Sequence, residues 1–190
     1  PVGICGSGIL DAVAEMLKTK IIDSSGRIVE VRKGVRKLSD GKLEYILVKK
    51  DLEGEVDKEG GKEIQEEEDY ITITQNDIRE IQLAKGAIRA GIDILLESTK
   101  LSVKDIDQII IAGAFGSCLD ISSSIEIGMF PNIPINKFHQ IGNAAGIGAK
   151  QILISENVRE KAKELLKNIK YIELTTYPDF VKYFINAMKF

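Results

Sequence analysis

Two glycine-rich turns carry the residue types that could hold a phosphorylated or flat ligand. The first is Gly3-Ile4-Cys5-Gly6-Ser7-Gly8, and a helical pattern follows it at once. Glycines at the start of a helix leave its first N–H groups bare, and bare N–H groups at the positive helix end attract phosphate. The spacing is not the dinucleotide fingerprint Gly-x-Gly-x-x-Gly, because Asp11 stands where the third glycine belongs. No Lys-Ser/Thr pair closes it as in a P-loop, and close helix–strand packing is the competing explanation. The second turn is Gly113-Ala114-Phe115-Gly116-Ser117, reached straight from the apolar run Ile109-Ile110-Ile111-Ala112. With almost no side chain over it, such a backbone can present N–H groups to a flat or charged ligand. A tight turn made small for packing alone is the alternative.

The other reactive residue types are sparse. Lys85 and Arg89 lie four residues apart on one helical face, where they either hold phosphate or stay solvated, and solvation is the preferred reading. His139 is the only histidine, which excludes a His-based triad or a multi-His metal site within this chain. It reads as an ordinary strand residue. Cys5 and Cys118 cannot build a disulfide framework and suggest a reducing compartment, and both read as buried structural cysteines. Residues 51–69 hold ten acidic residues against Lys58 and Lys62. Their spacing fits no Ca²⁺ loop, so the stretch reads as a mobile acidic loop.

These residues need elements to position them. The continuous run at 109–111 suits a strand covered on both faces, with a ligand just past its carboxyl end. The first helix has Ile9, Leu10, Val13, Met16 and Leu17 on one face. Residues 27–31 and 43–48 are β-prone, and Asp40-Gly41 makes the second piece one arm of a hairpin. Residues 70–73 form a strand, after which Thr74 and Asp77 have capping-box spacing for the longest helix. Its expected buried stripe is Ile81, Ala84, Ile88, Ile92 and Leu95, with Gly86 and Gly91 admitting close neighbours. A short helix at 120–128, a rigid loop at 129–134 and a strand at 138–141 follow. The tiny residues at 142–149 open a helix through Ile154 that is expected to press against another backbone. Ser155 caps the next helix, to about 168, and residues 171–174 read as a strand. The last helix is expected to start with Thr176 as cap and Pro178 in its first turn, burying Val181, Phe184, Ile185 and Met188.

Composition sets the outer bounds. A chain of 190 residues with 44% hydrophobic and 29% charged residues can form one sizeable core with an insertion. A net charge of −3 argues against a broad nucleic-acid surface. No apolar run approaches the roughly 20 residues that cross a bilayer, and no signal peptide is visible. The start at Pro1, directly before a glycine-rich turn, suggests a piece of something longer.

The order of motifs resembles the second lobe of the superfamily of acetate and sugar kinases, heat-shock chaperones and actin. There an apolar strand ending in two glycines lies beside adenosine; here the pair is Gly113-Ala114. More narrowly, PVGICGSGILDAV, ITQNDIREIQLAKGAIRAGI, IAGAFGSCLD and IGNAAGIGAK are similar to the ATP-dependent reductive activators of corrinoid proteins. The likeness covers most of the chain except the acidic insertion. It implies an α/β fold of the actin-like, ribonuclease H-like kind with an incomplete sheet. Residues 1–26 and 70–190 would make the lobe, and 27–69 an inserted β hairpin and acidic flap. It further implies a two-iron, two-sulfur ferredoxin domain and a first lobe upstream. An electron would pass from that cluster to cobalt(II) corrinoid, giving cobalt(I), with ATP driving the uphill step. Gly113, Ala114, Phe115, Gly116 and Ser117 would sit against adenosine, and Gly6, Ser7 and Gly8 near the phosphates. Mg²⁺ and the water-activating carboxylates would belong to the upstream lobe, so this chain alone is expected to hydrolyse no ATP. The base-holding helix of chaperones has no counterpart in 27–69.

The implied partners are a corrinoid protein and ATP, with a homodimer left open, in the cytoplasm and away from nucleic acid and membrane. One alternative comes from the dehydratase activators of the same superfamily, whose Cys-Ala-Ala-Gly-Thr-Gly turn helps bridge two subunits through a four-iron cluster. Cys5-Gly6-Ser7-Gly8 resembles that turn with a shorter gap, and Cys118 is the only second cysteine. The other alternative is a partner-binding and dimerisation module without chemistry.

Overall fold

Residues 2–49 and 70–190 are described by a computed structural model, so the acidic stretch 51–69 lies outside the described residues. Helix α1 (Gly6–Lys18) buries Leu10, Val13, Ala14 and Met16, the expected face. After it the chain does not form the expected strand at 27–31; one isolated bridge, Ile22 to Ile28, is all that pairs. Side chains take up its backbone groups instead. Asp23 Oδ1 accepts from the N–H groups of Ser25 (2.8 Å) and Arg27 (3.0 Å), and Gln75 bonds both Ile28 N and Gly26 O.

Strands β1 (Val35–Lys37), β2 (Leu43–Lys49) and β3 (Tyr70–Thr74) form an antiparallel sheet in that order, with Asp40-Gly41 in the β1–β2 turn. Helix α2 (Gln75–Thr99) opens on the predicted capping box: Thr74 Oγ1 accepts from Asp77 N, and Asp77 Oδ2 accepts from Thr74 N at 2.8 Å. Strand β4 (Ile109–Ile111), helix α3 (Ile121–Glu126) and strand β5 (Phe138–Gln140) follow, β5 running parallel to β4. Helices α4 (Ala144–Ile154), α5 (Glu156–Leu166) and α6 (Phe180–Met188) complete the chain.

The core gathers Leu10, Val13 and Met16 of α1, Ile22 and Ile28, Ile73 and Ile78 at the β3–α2 junction, and Ile127 and Phe130 beyond α3. Helix α2 joins it with a different face from the one expected. Ile78, Lys85, Gly86, Ala90 and Ile94 are buried, whereas Ala84 is exposed, and Ile88 and Leu95 are 46% and 53% exposed. The cause is α6, which packs along α2. A methyl at Gly86 would come within 3.0 Å of Met188 Cγ, so glycine sets how closely the two helices approach.

Other local expectations fail for equally local reasons. Residues 171–174 are not a strand: the Glu173 carboxylate accepts from Tyr171 Oη and from Thr175 N and Oγ1, curling the segment into a 3₁₀ turn. Helix α6 therefore starts only at Phe180, with Asp179 at φ 63° as its N-cap in place of Thr176, and Val181 and Ile185 stay exposed. Helix α4 packs against α5 but buries no residue, and a methyl at Gly148 would meet nothing within 4 Å, so its small residues are not pressed against another backbone. Strand β4 is not covered on both faces either, since Ile110 is 54% exposed in a sheet of two strands.

Candidate functional site

The second glycine turn is built outward from β4. Ile111 O accepts from Ile141 N (3.0 Å), and Gly113 N donates to Gly142 O (2.6 Å), continuing the β4–β5 pairing into the loops. At Gly113 the chain turns with φ 108°, a conformation that disfavours any side chain, and the space where a Cβ would stand is open to 4 Å. This is a bare ledge of main chain. Ser117 Oγ donates back to Gly113 O (3.2 Å), while Gln140 Nε2 donates to Gly116 O (2.6 Å) and Leu119 O (2.9 Å). The turn is thus clamped from inside, with Gly116 buried: a Cβ there would lie 2.5 Å from Ile111 Cγ2.

Phe115 points the other way and is 55% exposed. The edge of its ring lies against Gly6, where an added Cβ would come within 3.0 Å of Phe115 Cε2. The two turns picked from sequence as ligand-facing are therefore neighbours across the carboxyl end of β4. At the first turn Cys5 is the N-cap of α1, its Sγ accepting from Gly8 N (3.3 Å) beside Ser7 Oγ (3.4 Å). These bonds, the Ser7 hydroxyl first and the Gly8 N–H next, hold the Cys5 thiol below its ordinary pKa. Neither cysteine is buried as expected: Cys5 caps from outside the helix, and Cys118 sits on the surface of a 3₁₀ turn.

Two parts of this neighbourhood escape a reading of the sequence for phosphate turns. Asn143 caps α4 through Gly146 N (2.9 Å), and Gly142, at φ 62°, lies against Ser117, which brings a third small-residue turn alongside. Its composition was the available signal. Asp11 lies one turn beyond Ser7 on α1, and its Oδ1 is the single buried side-chain oxygen or nitrogen lacking a hydrogen-bond partner among the described residues. A carboxylate at i+4 from a turn serine was the signal there.

Lys85 and Arg89 belong to another region and are not solvated. Lys85 is 1% exposed; its Nζ donates to Lys189 O and stands 4.9 Å from the Phe190 ring. Arg89 pairs with Asp93 at 2.9 Å and donates to Phe130 O (3.4 Å). His139 lies in β5 as expected.

The arrangement fits a ligand with a flat apolar part and an anionic tail. The open ledge and the exposed ring suit the first, and the glycine-led start of α1 suits the second. Among the described residues no three His, Cys, Asp or Glu side chains gather into a donor set.

A family described as the C-terminal domain of RACo, the ASKHA domain, matches residues 1–190. The corrinoid activation enzyme RamQ of Eubacterium limosum is 32% identical, over 99% of this chain and 31% of that protein. A Co(II) methylated amine-specific corrinoid protein reductase of Methanosarcina barkeri is 26% identical, over 88% of this chain and 25% of that protein. Among solved structures, a reductive activator for corrinoid, iron-sulfur protein superposes with a TM-score of 0.81 at 37% identity, covering 100% of this chain and 28% of that one. The chain thus spans less than a third of the length of each of these relatives.

Proposed function

This chain belongs to the family of RACo C-terminal ASKHA domains, and from that membership we propose that it is the adenosine-side lobe of an ATP-dependent activator of corrinoid proteins. The activator returns inactive cobalt(II) corrinoid to cobalt(I). Cobalt gains one electron, and a low-potential iron–sulfur donor outside this chain loses it. The observation that carries the reading is the ledge at Gly113, open where a side chain would block it and flanked by Phe115 resting on Gly6.

In this reading Gly113, Ala114, Phe115, Gly116 and Ser117 receive adenosine, and Gly6, Ser7 and Gly8 lie near the phosphates. Gln140 and the Ser117 hydroxyl hold the ledge rigid, so little order is lost on binding. Bound ATP supplies the free energy of the uphill step, through its different affinities for different conformations of the activator–corrinoid complex. Mg²⁺ and the iron–sulfur cluster are assigned, from the family likeness, to the rest of the activator. Residues 1–26 and 70–190 make the lobe, and β3 continues the hairpin of the insertion at 27–69. A second copy of the chain is a further partner, for which the uncovered Leu153 and Ile154 of α4 and Leu165 and Leu166 of α5 provide apolar surface. A cytoplasmic setting accords with the two unpaired cysteines; no described helix is long and apolar enough to cross a membrane.

The relatives favour corrinoid activation over the dehydratase-activator alternative. The full-length activator, mixed anaerobically with a cobalt(II) corrinoid protein and a one-electron donor, should develop the cobalt(I) absorption spectrum only when ATP is added. Equal reduction with and without ATP would sink the proposal.

A further inference from the structure

On the face made by the start of α2, the end of α6 and the loop before Arg27, two adjoining hollows of about 480 and 360 Å³ share Arg79. The floor of the larger is apolar: Leu83, Ile185 and Met188, with Leu83 and Ile185 exposed. Arg79 and Lys189 stand on its walls, and Lys42 on the wall of the smaller. Among the described residues no carboxylate lines either hollow, although the whole chain carries a net charge of −3. Lys42 is paired with Asp40 (2.7 Å), but Arg79 makes no ion pair among the described residues.

The groove is also held open. Gln82 Nε2 donates to both Ser25 O and Met188 O (3.1 Å each), tying its two rims to α2. Gly26 lies flat on the Gln82 amide, where an added Cβ would come within 2.7 Å. Lys85 fixes Lys189 from beneath through its carbonyl. A preformed apolar floor beside an unpaired guanidinium suits a short peptide segment that carries an aliphatic side chain and a carboxylate together.

We propose that this groove docks an acidic segment of the corrinoid protein. Its aliphatic side chain seats on Leu83, Ile185 and Met188, and its carboxylate pairs with Arg79. The assignment rests on the corrinoid-activator reading for the identity of the partner and on the groove's charge and shape for the chemistry of the contact. It is independent of the nucleotide ledge.

The test uses the full-length activator and its corrinoid protein, with affinity measured by calorimetry at two salt concentrations. Arg79→Glu should weaken binding at least tenfold and Arg79→Gln severalfold, both flattening the salt dependence, with nucleotide affinity unchanged. Leu83→Glu should match Arg79→Glu. A photo-crosslinker at position 83 should capture an acidic stretch of the corrinoid protein. Unmodified activator that binds the corrinoid protein while both Arg79 variants bind it equally well overturns the groove alone. Capture of another part of the same polypeptide at position 83 does so too. Unmodified activator that ignores the corrinoid protein in every nucleotide state overturns the reading beneath it instead.

Discussion

If the proposed site is right, Gly113→Val should abolish nucleotide binding by the full-length activator, with a loss of affinity of at least about a hundredfold, or roughly 2.7 kcal/mol. Two effects act in the same direction. Gly113 sits at φ 108°, a region costly for any residue with a Cβ and most costly for a β-branched one; holding it there takes about 1–3 kcal/mol. The added side chain would also occupy the open space over the ledge, where no protein atom lies within 4 Å. Gly148→Ala is the matched control, because its Cβ also meets open space but its backbone carries no positive φ. That variant should bind nucleotide like the parent. Titration with a fluorescent ATP analogue reads both. Full affinity in a folded Gly113→Val protein would place the nucleoside elsewhere.

The features legible in the sequence are those whose cause is local. The capping box at Thr74 and Asp77, the turn before β2 and the passage from β4 into Gly113 each depend on a few consecutive residues, and each is where the sequence puts it. The features misread depend on partners far along the chain. Periodicity treats Lys85 as polar and turns α2 toward Ala84 and Leu95. The folded chain buries that lysine because the Lys189 carbonyl and the Phe190 ring meet it. Residues 171–174 have a strand's composition but no neighbouring strand among the described residues to bond, and Glu173 closes them on themselves. In the candidate site, each glycine turn could be picked by composition alone. Their meeting, Gly6 under the ring of Phe115, joins positions far apart in the chain and has no counterpart in local spacing.

Lys85 gives the fold a pH signature opposite to that of a lysine held in an ion pair. Burial, and secondarily the positive charge of Arg89, lower its pKa from 10.5 to about 8. It has no carboxylate partner among the described residues, only a carbonyl and a ring. Below pH 8 the lysine is protonated whether the chain is folded or not, so it adds no slope there. Between about 8 and 10.5 the unfolded chain binds the proton and the folded chain does not, so stability must rise with pH across that window. The full rise approaches about 3 kcal/mol at 1.36 kcal/mol per unit. Tyr183, whose hydrogen bond to Glu97 pushes it up to about 12, opposes this above pH 10 and sets the practical upper limit. Lys85→Met keeps most of the side-chain volume and removes the titration. Denaturant unfolding of both proteins from pH 7 to 10 should therefore show the parent gaining on the variant by more than about 1 kcal/mol, nearly all of it above pH 8. Parallel curves would mean that water or an acidic group reaches Nζ.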